Sequence, residues 1–405
     1  MTASQRIYEQ LGVSPVINAA GTKTRIGGTR IREEALDAMT VAAESFVRIS
    51  DLQAAASKRI AAATGAEAGY VTNGASSALT LAAAACIAGD DLAAMAQLPD
   101  TTELPDEIIM PRTHRQGYDH ALRAAGATIV DVGGNDRRLG VGSEDTTAWE
   151  LAAGITDQTV AVGYTARANT EPPLADVCAV AHDHDVPVIV DAAAELPPRE
   201  NLHRFIEDGA DLVAFSGGKA IRGPQSSGIL AGRADLITSV ARQHLDMHAN
   251  APVWNPPVAL LDPESMPGVP RQGIGRSMKV GKEEIVGLLV ALELFIAEDE
   301  ERRYETWHRR AAGIADRLED LSGIHPELIP DPDEQRPPTV TVTVDPEAAG
   351  MSASDLVWQL RRLDPPVFVG ADDIAAGRCS INPHGLTDEE AERVTERFED
   401  VLNVA

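Results

Sequence analysis

Lysine is scarce in this chain: five residues (23, 58, 219, 279 and 282) among 405. Large aromatics are few as well, at 4%. The three cysteines, Cys86, Cys178 and Cys379, are odd in number and widely spaced. They offer no disulfide framework and no metal-ligand spacing, and they fit a reducing cytoplasm. No apolar run reaches the roughly 18 residues of a membrane span. The opening Met1-Thr2-Ala3-Ser4-Gln5-Arg6 lacks the apolar stretch of a signal peptide. Basic residues never cluster beyond a pair or so, which removes the footprint that nucleic acid requires. No internal repeat or low-complexity tract is present.

Acid is abundant instead. Aspartate and glutamate number 62 against 35 lysines and arginines, a net charge of −27. Such self-repulsion is screened by concentrated salt. Together with the shortage of lysine and large aromatics, it points to a salt-loving (halophilic) host. Hydrophobic residues make up 44% of the chain, enough for a globular core. The length suits one large domain and a smaller one.

Strand-like runs at 69–72, 107–111, 127–132, 159–164, 186–191 and 211–216 alternate with helical stretches at about 115–125, 145–154, 174–184 and 201–208. Two Ala-rich helical stretches, 33–45 and 51–63, precede them, and another follows from Ala78 to Ile87. This alternation predicts a mostly parallel sheet covered on both faces, with ligands at the carboxyl ends of the strands. Residues 89–107 read as an acidic surface loop. Residues 249–280 are rich in Pro and Gly and read as a loop or linker. One long helix is expected from Gly281 to about Leu321. The expected organisation is an N-terminal arm over 1–30, a large domain over 31–270 and a small C-terminal domain over 281–405. The last would hold strands near 338–344, 366–369 and 378–382 and helices near 353–363 and 387–402.

The most informative residues end two of the large domain's strands. Val188-Ile189-Val190 runs into Asp191, and Leu212-Val213-Ala214-Phe215 runs into Ser216-Gly217-Gly218-Lys219. A lysine amine can form a Schiff base with the aldehyde of pyridoxal phosphate (PLP). A carboxylate paired with the pyridine nitrogen keeps that ring an electron sink. The phosphate needs backbone N–H groups at a helix start. Asn73-Gly74-Ala75-Ser76-Ser77 supplies such a turn, and Ser216 and Arg222 are further candidates for it. His114, in Arg112-Thr113-His114-Arg115, ends another strand and is a flat group suited to lie over the ring. Arg378, with Arg25 and Arg30 as rivals, is a candidate fork for a substrate carboxylate. His182 and His184 point to different helix faces, so no metal site is expected.

These motifs give the chain its likeness. It resembles the selenocysteine synthase (L-seryl-tRNA selenium transferase) family of fold-type-I PLP enzymes, and within it the short D-glucosaminate-6-phosphate ammonia-lyase-like members. The matching pieces are Ile17-Asn18-Ala19-Ala20-Gly21-Thr22, Asn73-Gly74-Ala75-Ser76-Ser77-Ala78 and Arg112-Thr113-His114-Arg115. Val190-Asp191-Ala192-Ala193-Ala194-Glu195, Phe215-Ser216-Gly217-Gly218-Lys219, Gly223-Pro224-Gln225-Ser226-Ser227-Gly228 and Gly275-Arg276-Ser277-Met278-Lys279 continue the match in order. The resemblance implies an aminotransferase-like α/β fold: a large domain with a mostly parallel seven-stranded sheet, and a small α+β domain. It also implies PLP on Lys219, a homodimer or higher homo-oligomer, and a lyase that deprotonates Cα and expels a β-substituent from a small amino acid. Group transfer onto seryl-tRNA is the alternative. The shared motif begins near residue 17, and with the acidic charge this sets the expectation that tRNA is not the substrate. A non-catalytic PLP-binding scaffold is the second alternative, and the intact Lys219 and Asp191 argue against it.

Overall fold

The computed structural model describes residues 3–134, 146–167, 170–331, 333 and 335–403. It separates into two compact units: Ile31–Ile296, and a second built from Met1–Arg30 together with Ala297–Ala405. In chain order, β1 (Ile17–Ala19) precedes seven strands of the first unit. These are β2 (Ala68–Thr72), β3 (Glu107–Pro111), β4 (Thr128–Val132), β5 (Thr159–Thr165), β6 (Val188–Asp191), β7 (Leu212–Ser216) and β8 (Gly228–Gly232). The second unit adds β9 (Ile324–Ile329), β10 (Thr339–Val344), β11 (Val367–Val369) and β12 (Arg378–Ile381).

The seven strands of unit Ile31–Ile296 form one sheet in the order β2-β8-β7-β6-β5-β3-β4. From β7 to β4 every pairing is parallel, and β8 runs antiparallel to both β2 and β7. The reversal at β8 has a simple cause. Residues 217–227 contain no helix, and a parallel return needs a crossover of a dozen or more residues.

The strands are apolar throughout, and alternate residues feed two cores. Val71, Ile109, Val162, Val190, Val213, Phe215 and Ile229 face one way. Tyr70, Ile108, Met110, Ala161, Ile189, Leu212, Ala214 and Leu230 face the other. Helices Ile49–Thr64, Leu174–His182, Asn201–Glu207 and Lys282–Ala297 cover the first face. Gly74–Ala88 and Ala234–His244 cover the second. Helix Gly74–Ala88 is buried on nearly every side from Ala78 onward, which its run of alanines permits.

In the other unit, β9, β10 and β12 make an antiparallel sheet. The arm strand β1 pairs in parallel with β11, Ile17 opposite Val367.

Three expectations need correction. The long helix expected over 281–321 is two helices, Lys282–Ala297 and Glu300–Glu319. Asp299 interrupts it by accepting from Arg302 N–H at 3.1 Å as the second helix's N-cap. The acidic segment 89–107 is not all loop, because Asp91 caps a short helix, Leu92–Gln97, at 2.7 Å from Ala93 N. The helix expected from 115 starts at Asp119, after a short 3₁₀ turn over Arg112–His114.

Candidate active site

Strand β7 ends at Ser216 and the chain turns through Gly217–Ile221. The turn folds back on itself. Gly217 N–H donates to Ser227 O at 2.9 Å, Gly223 N–H to Gly217 O at 2.9 Å, and Arg222 N–H to Lys219 O at 3.0 Å. A Cβ on Gly217 would lie 2.3 Å from Ser227 Oγ, and one on Gly218 would lie 2.7 Å from Gln225 Cα. The glycines are therefore demanded by close packing of the turn rather than by free space around the lysine. Arg222 adopts φ +59°, the left-handed region that non-glycine residues seldom occupy. Arg32 fastens this end of the turn, its N–H donating to Arg222 O and its Nε–H to Ile221 O. Lys219 is half-buried on this braced segment.

Asp191 ends the neighbouring strand β6. Gln116 Nε2–H donates to its Oδ2 at 2.8 Å, and Ala193 N–H donates to Oδ1 at 3.1 Å. Burial raises the Asp191 pKa above the ordinary carboxylate range. The Ala193 bond, the Lys219 charge, the Gln116 bond and the Arg167 charge act in the opposite sense. The ammonium of Lys219 is thus felt at Asp191, and the two side chains share one end of the sheet. Gln116 and Arg167 are the partners that sequence reading assigned no role. Gln116 follows His114 by two residues, and its nearness to Asp191 arises only when β3 and β6 stand in one sheet.

His114 is only 2% exposed. Its Nε2 bonds the carbonyl of Glu171 at 2.9 Å, so that nitrogen carries the proton, and Nδ1 accepts from Thr165 N–H at 3.4 Å. Its ring meets Tyr164 edge-on with centroids 4.6 Å apart. Desolvation lowers its pKa and keeps it neutral. Both ring nitrogens are committed to the chain's own atoms, and little of the ring face remains for another group.

Helix Gly74–Ala88 starts where β2 ends. Asn73 occupies the N-cap without a side-chain cap bond, so the first-turn N–H groups have no side-chain acceptor there. Gly74 has φ +80° with open space where a Cβ would stand. Ser76 is exposed and Ala75 and Ser77 are half-exposed. Gly228 of β8 lies under this turn, where a Cβ would come within 2.5 Å of Gly74 C. Asn73 Nδ2–H reaches Lys279 O at 3.4 Å. Behind it, Tyr70 OH bonds His244 Nδ1 at 2.9 Å, and His244 Nε2 bonds Met278 O at 3.0 Å.

Arg25 and Arg378 belong to the unit that contains the arm. Arg25 is exposed, and Arg378 pairs with Asp373 at 3.2 Å. Arg30, the rival, is engaged by Glu390. Among the described residues no group of three or more His, Cys, Asp or Glu could hold a metal ion. His182 instead bonds Asp211 at 2.9 Å.

These residues fit PLP. An uncapped helix start beside a backbone cradle suits a phosphate, and a desolvated carboxylate held by two donors suits a ring N–H. A lysine on a rigid turn within reach of that carboxylate's field suits the aldehyde.

Comparison with known proteins agrees. Residues 16–249 match the family described as L-seryl-tRNA selenium transferase (SelA). The 5'-C-glycyluridine monooxygenase-decarboxylase of Streptomyces sp is 32% identical over 401 residues, covering 98% of this chain and 92% of that protein. The D-glucosaminate-6-phosphate ammonia lyase of Salmonella typhimurium is 29% identical over 407 residues, covering 98% of both chains. A solved structure of D-glucosaminate-6-phosphate ammonia-lyase superposes with a TM-score of 0.81 at 28% identity, covering 98% of each chain. The chain belongs to the L-seryl-tRNA selenium transferase family of fold-type-I, PLP-dependent enzymes.

Proposed function

We propose that the protein is a PLP-dependent lyase acting on a small amino acid, hydroxylated or sugar-derived, by removing the Cα proton and expelling a β-substituent. The observation that carries this reading is that Asp191 ends β6 while the turn bearing Lys219 follows the adjacent parallel strand β7, with the lysine among the charges that oppose the effect of burial at Asp191. The names of both relatives specify an amino compound built on a sugar, 5'-C-glycyluridine in one and D-glucosaminate-6-phosphate in the other, which supports the sugar-derived substrate.

In this reading Lys219 carries the cofactor and then moves the Cα proton. When bound, PLP supplies the sink for the electron pair left at Cα. Asp191 holds the ring N–H, and Gln116 and the Ala193 amide keep its oxygens aimed. The turn Asn73-Gly74-Ala75-Ser76-Ser77 holds the phosphate through backbone N–H groups and hydroxyls, with Ser216 and Arg222 at its edge. His114 braces β5 against the 3₁₀ turn after β3. Arg25 and Arg378 take the substrate carboxylate.

The test is spectroscopic and chemical. The wild type should show the visible band of lysine-bound cofactor and should release ammonia and a 2-keto acid. Lys219→Ala should lose both, and a band that persists in this variant rejects the assignment. Release of carbon dioxide without a keto acid would favour decarboxylation, the chemistry named for the Streptomyces relative. No mobility shift with seryl-tRNA is expected, in keeping with the net charge of −27.

The same proposal includes a homo-oligomer in the cytoplasm of a salt-rich cell. Among the described residues no helix is long and apolar enough to cross a membrane, and all three cysteines are free. Phe46 is wholly exposed, as is much of Val47, Val253 and Val258. Arg48 bonds Asn255 at 2.9 Å and brings those two segments together. These exposed apolar side chains support a contact surface there. Phe46→Asp should shift the protein to a smaller species in sedimentation.

A further inference from the structure

We propose that a groove in the unit that does not carry Lys219 binds a free amino-acid zwitterion. The groove runs between helices Glu300–Glu319 and Asp388–Asn403, is open to solvent on one side and offers about 140 Å³. That is close to the roughly 150 Å³ that accommodates benzene in an engineered cavity. Arg309, Arg310 and Arg317 line one wall, and Asp388 and Glu392 line the other.

The two ends of the groove differ. At one end Asp388 is shared by Arg309 at 3.2 Å and Arg310 at 2.6 Å, so both arginines there have a carboxylate partner. At the other end Arg317 donates only to the Thr395 hydroxyl, at 3.3 Å. Among the described residues, neither Arg317 nor Glu392 makes an ion pair, although both face the same groove. An arginine fork and a carboxylate that line one groove without pairing match a carboxylate and an ammonium on one ligand.

Gly313 supplies a second, independent sign. It sits within the 20-residue helix Glu300–Glu319, where glycine is disfavoured relative to alanine. A Cβ there would meet nothing within 4 Å, so packing does not require the glycine. What the missing side chain leaves open is the groove itself, which Gly313 lines.

Calorimetric titration of the full-length protein with glycine and with L-serine tests this. Acetate and inorganic phosphate serve as anion-only probes. The expected result is a binding component present in the wild type and retained in Lys219→Ala. It should weaken tenfold or more in Arg317→Gln, in Glu392→Gln and in the groove-filling Gly313→Leu. Circular dichroism melts confirm that these exposed substitutions leave the fold intact. Titrations identical in all variants overturn the proposal. So does phosphate or acetate binding that survives Glu392→Gln while glycine does not bind, since the groove is then an anion site. Because the readout is retained in Lys219→Ala, its outcome is independent of the lyase reading.

Discussion

At the residue scale, Asp191 shows how function and stability oppose each other. Burial raises its pKa in the folded protein, so the folded state favours the protonated form. The stability this group contributes is fully present below the unfolded carboxylate value of about 4 and is lost as pH rises through the folded value. Burial thus works against the ionised carboxylate that a cofactor ring N–H would pair with. Asp191→Asn should raise the melting temperature of the cofactor-free protein at pH 7. The same variant should bind PLP about 10- to 100-fold more weakly, the cost of one lost bond to a charged group. Differential scanning fluorimetry and a fluorescence titration check the two halves. His114 and His244 carry the opposite sign. Burial lowers both pKa values, so their contribution is whole above the unfolded histidine value of about 6.5 and is lost as pH falls through the lower folded values. Melting temperature should decline between pH 7.5 and 5.5. Asp191 stands out in the sequence because it ends an apolar run, and Lys219 because it lies three residues past the end of another. Gln116 and Arg167 do not, because their relation to Asp191 exists only once separate segments are folded beside it.

At the element scale, glycines decide where backbones can approach. Gly228 lies beneath the start of helix Gly74–Ala88, with Gly74 C only 2.5 Å from where its Cβ would fall. Backbone cannot yield as a side chain can. Gly228→Ala should destabilise the protein by about 1–3 kcal/mol and loosen cofactor binding, measured by denaturant titration and fluorescence. Gly313→Ala should do the reverse for stability, adding about 1 kcal/mol, because nothing stands in the way. The parallel strands were readable from their apolar runs and intervening helical periodicity. Strand β8 was not, since Gly228–Gly232 holds two glycines and follows a tight turn. The break at Asp299 is hidden in the sequence for a related reason: capping is a local competition that an otherwise continuous helical pattern conceals.

At the scale of the whole molecule, charge governs. With 62 acidic residues against 35 basic, repulsion opposes compactness wherever screening is weak. The screening length falls from about 10 Å at 0.1 M salt to about 3 Å at 1 M. Melting temperature should therefore climb with potassium chloride over that range, and a flat response would show that the acidic surface is already compensated internally. The two-unit organisation is less apparent from sequence, because one unit is assembled from distant stretches. Strand β1 leaves the ribosome well before its partner β11, which follows roughly 350 residues later. During translation the arm must wait, unpaired, while the intervening segment emerges whole and free to condense on its own. The order of assembly is thereby written into the topology: the lysine-bearing sheet can close before the ribosome finishes, and the two chain ends are stitched together last.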